Sequence, residues 1–265
     1  MLIGELKRKI PSKLTHSEDF LTSSIFGTLQ YLSSPFFIQQ ILSEAINIQN
    51  EPFVLPPLIR KCEYTFWPRL EKSEPDLLLK LTDDDNFIYL VCIEAKYHSG
   101  KSSSEDTSVE ISERMNHQRD QLAKEVEDLT SDYCLNLLGV NRNSLKSAKL
   151  FYLTKDTHFP TDSIETSAKF VNSPSYGLND FYWLSWSTIY HALAQINLTD
   201  SICTYQDQLL ITDLKALLVH KNLQCFNGFL KQITFVEKSL YPSNLLLNKF
   251  KSVSKSNWRY GDSLT

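Results

Sequence analysis

The sequence predicts an α/β protein built on a central mixed β-sheet flanked by helices. Three strand-like runs follow one another in the first half of the chain: IRKCEYTFW (59–67), PDLLLKL (75–81) and NFIYLVCIEAK (86–96). Two more short apolar runs, AKLFYLT (148–154) and FYWLSW (181–186), come later. Helical patterns precede, separate and follow these runs, and such intermixing is the signature of the α/β class.

The elements follow in order. Phe20, Leu21, Ile25, Leu29 and Leu32 recur at helical spacing and predict a helix over 15–32. Pro35 ends it, and FFIQQILSEAINI predicts a second helix over 36–48. EPFVLPP connects this helix to the strands. Asp83, Asp84, Asp85 and Asn86 supply the turn between the second and third strands. The run IYLVCI is apolar on both faces, which marks a buried central strand. Residues 99–107 are rich in Gly, Ser and Lys and read as a loop, and a long helix is expected over 108–129. Residues 155–179 are polar and loop-like. STIYHALAQI continues the last strand as a helix, and another helix is expected over 204–220. We expect one domain over 1–230 and a basic tail over 231–265.

The chain has 265 residues and is 42% hydrophobic, enough for one large core. Its formal net charge is −4, so a nucleic-acid partner would have to be met by local basic patches. Cys62, Cys92, Cys134, Cys203 and Cys225 form no CxxC pair, a pattern expected of reduced thiols in the cytoplasm. MLIGELKRKI lacks the apolar run of a signal peptide, and no stretch is apolar for long enough to span a bilayer. The expected setting is cytoplasmic, without a membrane partner.

The chemistry concentrates in Pro75-Asp76 and Glu94-Ala95-Lys96. Side chains alternate along a strand, so Glu94 and Lys96 share a face, and strand pairing can bring Asp76 beside them. Two carboxylates and an ammonium can hold a hard divalent cation and activate water against a phosphodiester. The plain alternatives are a turn role for Asp76 and a solvent-facing strand-end pair for Glu94 and Lys96. The apolar run before Glu94 argues against a surface pair, and a lysine beside such a strand needs a partner. Thr15-His16-Ser17-Glu18 reads as a capping box. Gln118 and Gln121 lie on one helix face. The six histidines show no metal-binding spacing such as HxxxH, and Trp67, Trp183 and Trp186 read as core or interface aromatics.

Pro75-Asp76 with Glu94-Ala95-Lys96 resembles the PD-(D/E)XK nuclease superfamily. The resemblance takes in Glu18 in SEDFLTSSIFGTLQYL, Gln121 in RDQLAKEVEDL, and the segments AKLFYLT, FYWLSWSTIYHAL and TDLKALLVHKNLQCFNGF, spanning roughly 15–230. It implies a restriction-endonuclease-like core and hydrolysis of DNA by a prokaryotic anti-phage defence or restriction-like effector. It further implies that Asp76, Glu94 and the Ala95 carbonyl ligate Mg²⁺ or Mn²⁺, with Glu18 completing the shell. Lys96 would orient or help deprotonate the attacking water, and Gln121 would hold that water or a phosphate oxygen. For Glu18 the cap and the active-site role both stand as readings of the sequence.

His98, Ser99 and Lys101 leave the Lys96 strand directly and are candidate phosphate contacts, with Gly100 permitting close approach. Arg142, Lys146 and Lys149 form another basic cluster. In the tail, Lys238, Lys249, Lys251, Lys255 and Arg259 interleave with Phe250, Trp258 and Tyr260, which suits either a phosphate clamp or a solvated end. The chain has no GxxxxGK[ST] signature and no helix-turn-helix module. The resemblance further implies a homo-oligomer, a regulatory partner such as an ATPase subunit, or both. The alternatives are a non-catalytic nucleic-acid-binding or assembly subunit and an RNA-directed nuclease.

Overall fold

The computed structural model describes residues 5–7, 9, 17–97, 121–199 and 201–224. His98, Ser99, Lys101, the first part of the helix expected over 108–129, and the tail 231–265 lie outside the described residues.

The sheet is five-stranded and mixed, with strand order following the sequence: β1 (Ile59–Phe66), β2 (Leu77–Asp83), β3 (Ile88–Ala95), β4 (Leu145–Thr154) and β5 (Phe181–Ser185). The β1–β2 and β2–β3 pairs are antiparallel, while β3–β4 and β4–β5 are parallel. The run that is apolar on both faces thus becomes the middle strand, as expected. The β2–β3 turn closes on Asp83, whose carboxylate accepts from Phe87 N at 2.8 Å. Asn86 takes the left-handed conformation there (φ 65°), which asparagine tolerates well.

Alternating side chains feed two cores. Leu77, Leu79, Leu81, Val91, Ile93, Phe151, Leu153 and Leu184 point to one face. That face is covered by α1 (Glu18–Leu29), α2 (Phe36–Leu42), α6 (Trp186–Gln195) and α7 (Tyr205–His220). Leu78, Leu90, Cys92, Leu150 and Phe181 point to the other. There they meet Leu122, Val126 and Leu129 from α3 (described over 121–128) and its end, Cys134 and Leu135 from α4 (Asp132–Leu137), and Ile164 from α5 (Thr161–Lys169). Parallel strands need crossovers, and the chain between β3 and β4 and between β4 and β5 carries these helices. The described fold is therefore α/β, with helices on both faces of the sheet.

Two expectations are corrected. The second helix stops at Leu42 instead of running to 48. Ile46 leaves the helix to exchange backbone hydrogen bonds with Trp183 (3.0 and 2.8 Å), which covers the edge of β5. The stretch 155–179 is not all loop, because α5 forms within it and buries Ile164 and Ser167. Its few apolar residues hide a helix that is mostly solvent-facing. Among the described residues, no helix is long and apolar enough to cross a membrane.

Candidate active site at the end of the central strand

β2 runs antiparallel to β3, so the start of one lies beside the end of the other. Leu77 pairs with Ile93, and the preceding residue, Asp76, falls next to Glu94-Ala95-Lys96. Asp76 Oδ2 accepts from Ala95 N at 2.9 Å. Lys96 continues the pairing of β3 with β4, donating its N–H to Leu153 O at 2.7 Å. The Lys96 carbonyl in turn accepts from the indole N–H of Trp186 at 3.2 Å. Trp186 is itself wholly buried, so the backbone on both sides of Lys96 is held by the core.

The side chains converge on the Lys96 ammonium. It donates to Glu94 Oε1 at 2.5 Å and to Glu18 Oε1 at 3.2 Å. Glu18 Oε2 accepts from Tyr97 N at 2.7 Å, so both of its oxygens serve the segment after β3. The capping-box reading of Glu18 is overturned. Ser17 is the N-cap and makes no side-chain cap bond, and Glu18 is the first helical residue. On the other side, Gln121 Nε2 donates to Glu94 Oε1 and to Glu125 Oε1, both at 2.9 Å. Asp76, Glu94, Lys96, Glu18 and Gln121 therefore meet at one place, although they come from four separate stretches of the chain.

The electrostatics follow from burial. Asp76 is 8% exposed and Glu94 2%. Burial, and then the charge of Glu94, push the Asp76 carboxyl up to about 7. Burial raises Glu94 as well, against the pull of Lys96. Burial alone would depress the Lys96 ammonium, but Glu94 and Glu18 outweigh it and hold it above its ordinary range. Lys96 is thus a fixed cation that donates hydrogen bonds.

Two residues at this site escaped the sequence reading. Tyr152 pairs directly with Glu94 across β3–β4 and shares its face, and burial pushes its hydroxyl up to about 12. Glu125 is fully buried beneath Glu94. A signal for Glu125 was present: it lies three residues after Leu122 and four before Leu129, inside the apolar stripe of its helix. A carboxylate in such a stripe is an anomaly. Tyr152 could have been found from the alternation with Leu150.

Other expected contacts are placed differently. Arg142 pairs with Asp132 at 2.8 Å, Lys149 with Asp180 at 2.5 Å, and Lys146 lies over the Phe87 ring at 3.8 Å. That basic cluster is thus engaged within the fold. Trp183 and Trp186 are buried as expected, but Trp67 is 38% exposed with φ 46°, and its N–H donates to Asp76 O at 3.1 Å. Among the described residues, no three His, Cys, Asp or Glu side chains are drawn together closely enough to hold a metal ion. The Lys96 ammonium lies between Glu94 and Glu18 and serves as their counter-charge. Comparison with protein-family models, curated proteins and solved structures gave no match.

Proposed function

We propose that the chain is a divalent-metal-dependent nuclease of the PD-(D/E)XK kind that hydrolyses DNA phosphodiester bonds, in keeping with a restriction-like or anti-phage role. The observation that carries this reading is the meeting of Asp76, Glu94 and Lys96 at the end of the central strand, with Glu18 and Gln121 beside them. The donor set suits Mg²⁺ or Mn²⁺: hard carboxylate oxygens, and an excess of acids over the Lys96 ammonium. Asp76, Glu94 and the Ala95 carbonyl would hold the ion, with Glu18 near its shell. When bound, the ion supplies Lewis-acid activation and offsets charge at the phosphate.

The chain's own residues have separate tasks. Lys96 is kept protonated by its carboxylate neighbours, so it serves as a donor to the phosphate and to the attacking water, stabilising charge as it develops. Gln121 spends its amide nitrogen on Glu94 and Glu125, so its task is to orient Glu94. Trp186 and Leu153 fix the Lys96 backbone, which keeps the ammonium within a narrow range of positions.

The test is incubation of the purified chain with supercoiled plasmid and, separately, with RNA, each with Mg²⁺ or EDTA. Plasmid cleavage that needs Mg²⁺ and is lost in Asp76→Ala and Lys96→Ala is expected. Cleavage that survives both substitutions would overturn the site, and cleavage of RNA alone would overturn the substrate.

A further inference from the structure

We propose that the sheet end carrying Lys96 is a track for one unpaired DNA strand, with a base stacked on Trp67 to one side of the site and a backbone phosphate on Lys155 to the other. The inference rests on the reading that a phosphodiester is cleaved at Asp76, Glu94 and Lys96, and it names the form of the substrate.

The topology lines these residues up. β2 is antiparallel to both β1 and β3, while β3, β4 and β5 run parallel. The ends of β1, β3, β4 and β5 and the start of β2 therefore form one edge of the sheet. Phe66 pairs with Leu77, Leu77 with Ile93, and Ala95 with Leu153. Along that edge the order is thus Trp67, Asp76, Lys96 and Lys155. Neighbouring strands lie about 4.8 Å apart, so Trp67 stands two strand spacings from Lys96 on one side, and Lys155 stands one spacing away on the other. The carboxyl ends of parallel strands are where open α/β sheets take their ligands.

Trp67 is 38% exposed, although its ring centre lies 5.6 Å from that of Phe66. Its φ of 46° is left-handed, where a bulky side chain is strained and glycine or asparagine is at ease. Its N–H donates to Asp76 O, so the strained residue is bonded to the backbone of the site's acid. Strain of this kind clusters at ligand contacts. An exposed indole offers a face on which any base can stack. A base inside a duplex is already stacked on its neighbours, so the one that meets Trp67 is unpaired. On the other side, Lys155 is exposed, and its ammonium lies 5.5 Å from the centre of the Tyr97 ring. Tyr97 directly follows Lys96, so this contact keeps the cation beside the site. Among the described residues Lys155 makes no ion pair, whereas Lys72, Arg142 and Lys149 each meet a carboxylate. An uncommitted cation at that place suits a phosphate of the bound strand.

The test is fluorescence anisotropy of the full-length chain with fluorescein-labelled oligo(dT) of about 12 nucleotides, in CaCl₂ without Mg²⁺, beside a fully abasic strand of equal length. Trp67→Ala should bind oligo(dT) about fivefold or more weakly and the abasic strand as wild type does. Trp67→Phe keeps a stacking ring and should retain most of the affinity, which guards against a folding defect. Lys155→Gln should weaken both strands alike and make the slope of log K against log salt shallower by about 0.7. Equal losses on both strands in Trp67→Ala, or no loss, would overturn the stacking. An unchanged salt slope in Lys155→Gln would overturn the phosphate contact. Wild type that binds neither strand, or binds the oligo(dA)·oligo(dT) duplex more tightly than oligo(dT), would overturn the unpaired strand. The outcomes separate from those for the nuclease reading. Mg²⁺-dependent plasmid cleavage with oligo(dT) binding unchanged in both variants removes only the track. The expected binding pattern without cleavage by the wild type removes only the nuclease.

Discussion

Asp76→Asn isolates the cost of placing an acid at this strand junction. The substitution keeps the shape of the side chain and the oxygen that accepts from Ala95 N, and it removes one charge. Burial and the neighbouring Glu94 carboxylate raise the Asp76 carboxyl from 3.8 to about 7. Its folded pKa lies above the unfolded one, so the native state holds more protons between those values. The contribution to stability is complete below about pH 4 and is lost as pH rises through 7. Each unit is worth about 1.4 kcal/mol, so the ionised group weighs against the metal-free native state by about 4 kcal/mol above pH 7. Urea unfolding in EDTA between pH 4 and 9 measures this. The variant should match wild type near pH 4, then gain with pH and level off about 3–4 kcal/mol more stable by pH 8. If the proposed metal site forms, saturating Mn²⁺ should narrow or reverse that order, because wild type alone would keep Asp76 as a ligand. A variant that is no more stable than wild type at pH 8 in EDTA, or a difference flat across pH, would refute the reasoning.

Other outcomes are expected from the same structure. Lys96→Met leaves the buried Glu94 without its ammonium and should cost about 3–5 kcal/mol at pH 8, with partial recovery at pH 5 as carboxyls protonate. Urea unfolding at the two pH values checks this, and equal loss at both would contradict it. Asp207 accepts from Ser33 and Thr204 through backbone and hydroxyl donors, tying the start of α7 to the turn between α1 and α2. Asp207→Ala should therefore cost about 2–4 kcal/mol in thermal or urea unfolding. At Asn86, whose φ is 65°, glycine should be nearly neutral and valine should cost about 1–2 kcal/mol, read by the same unfolding assay.

Much of the sheet was legible because its signals are local. Alternation along LLLKL and the apolar run before Glu94 depend only on neighbours, and they identified a paired strand and a central strand. The same logic put Glu94 and Lys96 on one face. The helix 36–48 was overextended because FFIQQILSEAINI keeps a helical pattern past the point where Ile46 is needed at the edge of β5. Propensity yields to pairing when an edge strand is to be covered. The helix over 161–169 was missed because it shows the core few apolar residues.

The sequence by itself determined the class of the fold, the order of most elements and the residue types that gather at the end of the central strand, since periodicity and motif spacing act over a few residues. Only the tertiary structure decided which charges face one another. Glu18 bonds Lys96 and Tyr97, which lie more than 70 positions away in the chain. Glu125 sits against Glu94 because a helix crosses the sheet face there. Lys149, which reads as a free basic residue, is held by Asp180. Strand register and helix placement choose these partners. Burial then sets the strength of each charge, because the energy of a charge depends on what surrounds it in space.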